Sequence, residues 1–374
     1  MEQIISSLTQ NHKALENSLN SLLTEPEQLC FFDIETTGLS PEVSSVYLIG
    51  AAVWKNDEFQ IIQWFADDYV SEKELLLSFS EFCSPFQTFV HYNGTSFDIP
   101  YLEKKYNAHK LNSPFRDKKS IDLFRSLPKN KSFFSVPNRK LATMEKLLSF
   151  SRTDTFSGRD CIRLYTEFMH KKYFRDPLAN ERRNQLLRHN YDDIQGTILC
   201  AQLFSYRYGI LDPLSVEWKF PLENQSFIQI KGHLSRGYFP LALTYTGQNG
   251  IGPYYNYGEN CFSVQIPLFS STLRHYFKDY KNYFYLPEED TAIHKSVGTY
   301  VDRDYRRQAT ADTCYVKKSG TFFALPDSFA ADEVPLFRET RKSRPVFMDI
   351  DTLSTLPQNR LFRLLDAYFH TAPA

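Results

Sequence analysis

The stretch Cys30-Phe31-Phe32-Asp33-Ile34-Glu35-Thr36-Thr37-Gly38-Leu39 constrains the fold more than any other part of the chain. An apolar run leads straight into two carboxylates one residue apart. On a strand, Asp33 and Glu35 are at i and i+2, so both side chains point to one face. Two like charges on one face repel, and their burial is costly unless a cation sits between them. Thr36-Thr37-Gly38 ends the strand, since glycine turns at no steric cost. Paired carboxylates at a strand's C-terminal end are a candidate site for a hard cation, Mg2+ or Mn2+ rather than Zn2+. A solvated acidic pair is the alternative reading of these two residues alone.

The flanking pattern predicts an antiparallel meander. Strands are expected at about 29–35, 46–54 and 59–65, with Lys55-Asn56-Asp57-Glu58 as a hairpin turn. Residues 1–26 read as an amphipathic helix. Ser71 reads as the N-cap of a helix running to about Phe82. A fourth strand covers Thr88–Tyr92, and a helix follows to about Tyr106. Ile121–Leu127 is a short apolar segment in an otherwise basic, irregular stretch. Helices are expected at Leu141–Phe150, Asp160–Tyr173 and Asn180–Tyr208. Beyond Gly209, prolines punctuate short alternating runs such as Ser226–Ile230 and Cys261–Ile266. That half reads as a smaller β-rich α+β domain with helices at Ser270–Tyr280 and Asn359–Tyr368. The expected domains are therefore 1–26, 27–209 and 210–374, the second of α/β class.

Composition excludes several classes. Net charge is −1, so a nucleic-acid site must be a local patch. The longest apolar run, Val46–Trp54, is too short to span a membrane. Residues 1–26 lack the continuous apolar core of a signal peptide. The six cysteines form no CxxC pair, so neither a zinc site nor a disulfide framework is expected. They read as reduced thiols of a cytoplasmic protein. The 32 Phe and 23 Tyr point first to bulky cores and second to stacking platforms for bases.

Two further acidic stretches matter. Asn93-Gly94-Thr95-Ser96-Phe97-Asp98 follows the fourth strand, with Gly94 as the tight turn and Asp98 at a helix start. Asp98 is either a ligand or an ordinary N-cap. In His189-Asn190-Tyr191-Asp192-Asp193, His189 and Asp193 are i and i+4 and share a helix face. Asp192 is turned away by roughly 100°. Four separated carboxylates suit two divalent ions about 3.5–4 Å apart that clamp a phosphodiester. His189 is placed to handle the proton of an attacking water.

These three stretches resemble the motifs of the DEDD-type 3′–5′ exonucleases on the ribonuclease H-like fold. The nearest branch is that of the bacterial YprB-like predicted exonucleases. The resemblance covers about 28–209 and implies that the sheet there is mixed and flanked by helices. It implies Asp33, Glu35, Asp98 and Asp193 as ligands of two Mg2+ or Mn2+ ions, and His189 as the group that orients or deprotonates water. It also implies that Thr37, Gly38 and Leu39 approach the terminal nucleotide. The family has a Tyr four residues before the last Asp, or a His five before it. Here the His lies four before Asp193, and five onward from it is Ile194. Asp192 is the fallback ligand.

The expected substrate is the 3′ end of single-stranded nucleic acid, DNA favoured, with a helicase or repair protein as a further partner. Asn93, Phe97, Lys104, Lys105 and Arg188 are candidate substrate contacts, as phosphate affinity needs basic residues near the site. Lys110, Arg116, Lys118, Lys119, Lys129, Lys131, Arg139, Lys140, Arg182 and Arg183 extend that basic character. Phe133 and Phe134 either stack on bases or anchor their loop to the core. In the C-terminal half, Leu286–His294 reads as a turn and helix cap before it reads as a metal site. Arg338, Arg341, Lys342 and Arg344 either extend a nucleic-acid surface or are solvated. A ribonuclease on the same fold, or a catalytically silent binding or scaffold protein, are the other readings.

Overall fold

A computed structural model describes the chain except residues 9–11, 131, 154, 220–225, 247–251, 259, 330–333 and 373–374. Lys131 lies outside the described residues. The chain divides into two compact units, 1–210 with 235–241, and 211–234 with 242–374.

The first unit is built on a six-stranded mixed sheet. Its strands are β1 (Glu2–Leu8), β2 (Leu29–Thr36), β3 (Val46–Lys55), β4 (Glu58–Phe65), β5 (Thr88–His91) and β6 (Lys119–Asp122), in the order β1-β4-β3-β2-β5-β6. β2, β3 and β4 form the expected antiparallel meander, and β2–β5 and β5–β6 are parallel. Residues 2–8 are therefore an edge strand paired with β4, and not the start of an N-terminal helix. Their alternation of half-buried and exposed side chains is a strand period. The helix α1 (His12–Ser21) begins only afterwards.

Helices α2 (Glu72–Phe82), α3 (Asp98–Ala108), α4 (Leu123–Ser126), α5 (Leu141–Leu147), α6 (Gly158–Tyr173), α7 (Leu178–Cys200) and α8 (Ser205–Tyr208) complete this unit. The expected single helix over 180–208 is broken into α7, a 3-10 turn at Ala201–Phe204 and α8. Ser71 does not cap α2 through its side chain, and its hydroxyl instead accepts from the amino group of Met1.

The aromatic residues are chiefly core. Phe32 lies within 6 Å, ring centre to ring centre, of Phe79, Phe89, Phe115 and His91. Tyr47 stacks on Tyr165 at 4.1 Å. Phe133 and Phe134 are buried edge-on against Tyr206, so they anchor their loop and are not exposed for stacking. Two glycines set the approach of α7. A Cβ at Gly50 would lie 2.1 Å from Asn190 Oδ1, and one at Gly196 would lie 1.8 Å from Glu145 Oε1. No helix among the described residues is long and apolar enough to cross a membrane.

The second unit is β-rich, as expected. Its elements follow β7 (Ile210–Leu211): β8 (Glu217–Lys219), β9 (Phe227–Arg236), β10 (Leu243–Thr246), β11 (Tyr254–Gly258), β12 (Cys261–Pro267), β13 (Phe269–Tyr276), β14 (Tyr283–Leu286), β15 (Thr291–His294), β16 (Arg307–Gln308), β17 (Tyr315–Ala324) and β18 (Phe347–Asp349). Short helices α9 (Lys295–Gly298) and α10 (Ile350–Ser354) and the longer α11 (Gln358–Thr371) accompany them. The helix expected at Ser270–Tyr280 is in fact β13, paired antiparallel with β17. Of Leu286–His294, Leu286 ends β14, residues 287–290 turn the chain, Thr291–His294 is β15, and His294 caps α9.

The turn from β5 to α3 is held by a buried histidine. His91 is 1% exposed. Its Nδ1 accepts from the Gly94 N–H at 3.0 Å, and Nε2 lies 2.7 Å from Ser120 Oγ. Burial pushes His91 down to about 4, against the pull of Asp122. The unfolded chain therefore takes up this proton first. The His91 contribution is complete above an ordinary histidine value near 6.5 and is lost as pH falls toward 4. Its ceiling is on the order of 3 kcal/mol. Urea unfolding at pH 7 and pH 4.5 should show a smaller acid loss in His91→Gln than in the wild type, and equal losses would refute this assignment.

Candidate active site

The site forms where the C-terminal end of β2 meets α7. β2 is buried almost throughout, so Asp33 and Glu35 enter on a rigid central strand. The register with β3 shifts by one residue between Glu35 and Thr36, at the end of the strand. α7 brings His189 and Asp193 on one face. One oxygen each of Asp33, Glu35 and Asp193 lies within 4.8 Å of the others. His189 Nε2 is 3.5 Å from Glu35 Oε1 and 3.6 Å from Asp193 Oδ2. Glu35 and His189 also share a potential ligand cluster with Cys161.

Asp98 is buried at the first turn of α3. The residue in the N-cap position is Phe97, so Asp98 does not cap its helix. Its Oδ1 instead accepts from the Ile34 N–H at 3.3 Å, between the two β2 carboxylates in sequence. The turn before it is left-handed at Asn93, φ 64°, not at Gly94. Gly94 is required for space, because a Cβ there would lie 2.7 Å from His91 Nδ1. Asp122 fastens this turn by accepting from the N–H groups of Asn93 and Thr95.

Burial and mutual repulsion act together on these acids. Desolvation, then the charges of Asp193, Asp98 and Glu35, hold the Asp33 carboxyl well above the usual range. Asp98 is pushed up to about 7, first by burial and then by the acids around it. Acidic oxygens crowded out of water are a donor set for a hard divalent cation, which supplies the missing positive charge.

Neighbours missing from the sequence reading hold these groups in place. Asn190 is fully buried, and its Nδ2 donates to Asp33 Oδ2 at 3.0 Å. Gln63 Nε2 donates to Asn190 Oδ1 at 2.9 Å and to the Leu187 carbonyl at 2.8 Å. A polar residue amid Leu186, Leu187 and Ile194 on the buried side of α7 was the available signal. Arg152 Nη2 lies 2.5 Å from Asp193 Oδ1, and Arg152 also pairs with the buried Glu145. Arg152 sits in an irregular segment, and no sequence period points to it.

The substrate candidates separate. Leu39 is 81% exposed, and Thr37 holds the loop by accepting from the Ser45 N–H. The Gly38 carbonyl accepts from Thr36 and Ser44. Phe97 packs beside Tyr101, and Asn93 is exposed. Lys104 pairs with Glu42 at 2.7 Å on the surface. Lys105 is buried against Glu72 at 3.2 Å, which takes it out of the candidate contacts. Arg188, one residue before His189, pairs with Asp192 Oδ1 at 3.2 Å. Asp192 is buried, and its other oxygen accepts from Thr153, so it is engaged away from the carboxylate cluster. Several basic residues of the surrounding stretches are likewise paired: Arg182 with Glu167, Arg183 with Glu2, and Lys118 with the Cys83 carbonyl.

If burial of charge sets these properties, Asp98→Asn should raise the urea midpoint in EDTA at pH 8. The gain expected is about 1–4 kcal/mol, bounded by the rise of Asp98 to about 7. Added Mg2+ should stabilise the wild type more than the variant. A destabilised variant in EDTA would refute the prediction.

Residues 30–204 match the family described as RNase_H_2 of the RNase_H superfamily. This agrees with the mixed sheet and flanking helices of the first unit. Among solved structures, a family B DNA polymerase from the hyperthermophilic archaeon Pyrobaculum calidifontis is 18% identical, covering 49% of this chain and 25% of its own, with a TM-score of 0.39. E. coli exonuclease I in complex with a dT13 oligonucleotide is 13% identical, covering 54% of each chain, with a TM-score of 0.30. The chain thus spans a quarter of the polymerase and about half of exonuclease I. Likeness at these scores decides nothing about function. No curated protein matches the chain.

Proposed function

We propose that this protein is a metal-dependent 3′–5′ exonuclease that hydrolyses phosphodiester bonds of single-stranded nucleic acid, with DNA favoured. The observation that carries the reading is the convergence of Asp33, Glu35 and Asp193 within 4.8 Å, with His189 against two of them. The match of residues 30–204 to the RNase_H superfamily and the motif resemblance to DEDD-type exonucleases, YprB-like ones in particular, support it.

Asp33, Glu35, Asp98 and Asp193 would hold two Mg2+ or Mn2+ ions. Such ions lower the pKa of bound water and offset charge on the phosphate. The chain's own residues do the rest. His189, beside Glu35 and Asp193, accepts the proton of the attacking water, and the two carboxylates stabilise the resulting imidazolium. Asn190 and Arg152 keep Asp33 and Asp193 oriented. Leu39, exposed beyond the Thr37-Gly38 turn, would meet the terminal nucleotide, and Arg188 a phosphate. A silent scaffold has no use for buried carboxylates that cost stability, which favours the enzyme. The free cysteines suit a reducing, cytoplasmic setting. A helicase or repair partner fits a strand-end substrate.

The test is digestion of 5′-labelled single-stranded DNA and RNA with Mg2+ or Mn2+. A ladder shortening from the 3′ end is expected, abolished by EDTA and by Asp98→Ala. His189→Ala should lower the rate by about 10²–10⁴-fold while Mn2+ binding persists. Undigested substrate in every lane would overturn the proposal.

A further inference from the structure

The second unit carries a polar, basic and aromatic strand face on β13 and β17. β13 and β17 pair with Leu273 opposite Lys318 and Phe269 opposite Phe322 on one face. Leu273 and Phe322 are buried there with Phe337 and Phe347. The other face follows from the strand alternation. It runs Ser270 opposite Thr321, Thr272 opposite Ser319, Arg274 opposite Lys317, and Tyr276 opposite Tyr315. Hydroxyls, then two cations, then two aromatic rings succeed one another along one ladder.

Two cations directly opposite each other destabilise a sheet. The fold offsets this only in part. Lys317 pairs with Asp290, and Arg274 lies 5.0 Å from the centre of the Tyr315 ring. Tyr276 and Tyr315 meet edge-on at 5.2 Å. Arg274 also bridges antiparallel to Arg338 and donates to the Glu339 carbonyl. The turn that follows brings Arg341 and Lys342 to the wall of a cleft of about 430 Å3 that Arg274, Tyr276 and Tyr315 also line. Thr340 and Asp312 complete its wall. Arg341 is exposed and meets Asp312 only at 3.5 Å, a pairing a phosphate can displace. Lys342 is exposed at the rim.

We propose that this face binds single-stranded nucleic acid, with Arg274, Arg341 and Lys342 on phosphates and Tyr276 against a base. A cleft lined by cations and aromatic rings together suits a flexible polyanion carrying flat bases. A protein partner recognised by acidity alone would not use the tyrosines. The inference rests on a nucleic-acid substrate for the chain and adds a contact made by the second unit.

The test is fluorescence anisotropy with the full chain in EDTA and a labelled oligo(dT) of about 20 nucleotides, a length ample for one such groove. Arg341→Glu with Lys342→Glu should weaken binding at least tenfold at about 100 mM salt. The slope of log affinity against log salt should fall by about 1.4, two phosphates at roughly 0.7 each. Tyr276→Ala should weaken binding with little change in slope. A charge-matched control, Lys219→Glu with Arg363→Glu, should bind nearly as the wild type. Unchanged affinity in the double variant, or an equal loss in the control, would overturn the inference. So would displacement of the oligonucleotide by inorganic phosphate or a mononucleotide as readily as by unlabelled oligo(dT). No bond is cleaved in EDTA. A chain that never hydrolyses nucleic acid but binds through this face would refute the proposed reaction and uphold this inference. The opposite pattern would do the reverse.

Discussion

The crowding of carboxylates at the end of β2 is the constraint on which the first unit depends. Asp33 and Glu35 are fixed on a buried central strand, Asp98 reaches the Ile34 amide from α3, and Asp193 comes from α7. Burial first, and then the charges of neighbouring acids, hold Asp33 and Asp98 above the usual carboxylate range. A fold tolerates such a cluster only if stiff neighbours hold it. The large aromatic core around Phe32 and the stacked Tyr47–Tyr165 pair provide that stiffness.

The holding is also polar. Gly50 lets α7 come close enough for Asn190 to donate to Asp33, and Gln63 fixes Asn190 in turn. Gly196 does the same for Glu145, which positions Arg152 against Asp193. Each ligand candidate from a different element thus has its own tether. Arg152 brings one permanent positive charge into an acidic site, so the chain supplies part of the compensation itself.

Local pattern made much of this legible. Asp33 and Glu35 declared themselves through strand alternation, and His189 and Asp193 through helix spacing. The meander followed from apolar runs and a polar hairpin turn. What failed did so for physical reasons. Residues 2–8 alternate as an edge strand, but their isoleucines and leucine also suit a helix, and only pairing with β4 decides. Ser270–Tyr280 has weak periodicity, and the β13–β17 ladder imposes the strand. Lys105 looked like a phosphate contact because sequence cannot show that Glu72 lies beside it.

By itself the sequence determined the chemistry: which carboxylates stand at a strand end, which histidine shares a helix face with an acid, and that the first unit contains an antiparallel meander. These follow from interactions a few residues apart, where backbone period dictates side-chain direction. Only the tertiary structure decided which charges are free to act. It turned Asp98 from a cap into a neighbour of the β2 acids and buried Lys105. It set Asp192 aside, drew in Asn190 and Arg152, and lined up Arg274, Tyr276 and Tyr315 on one ladder. Those assignments depend on contacts between residues far apart in sequence, and burial, hydrogen bonding and charge pairing are settled only when those contacts form.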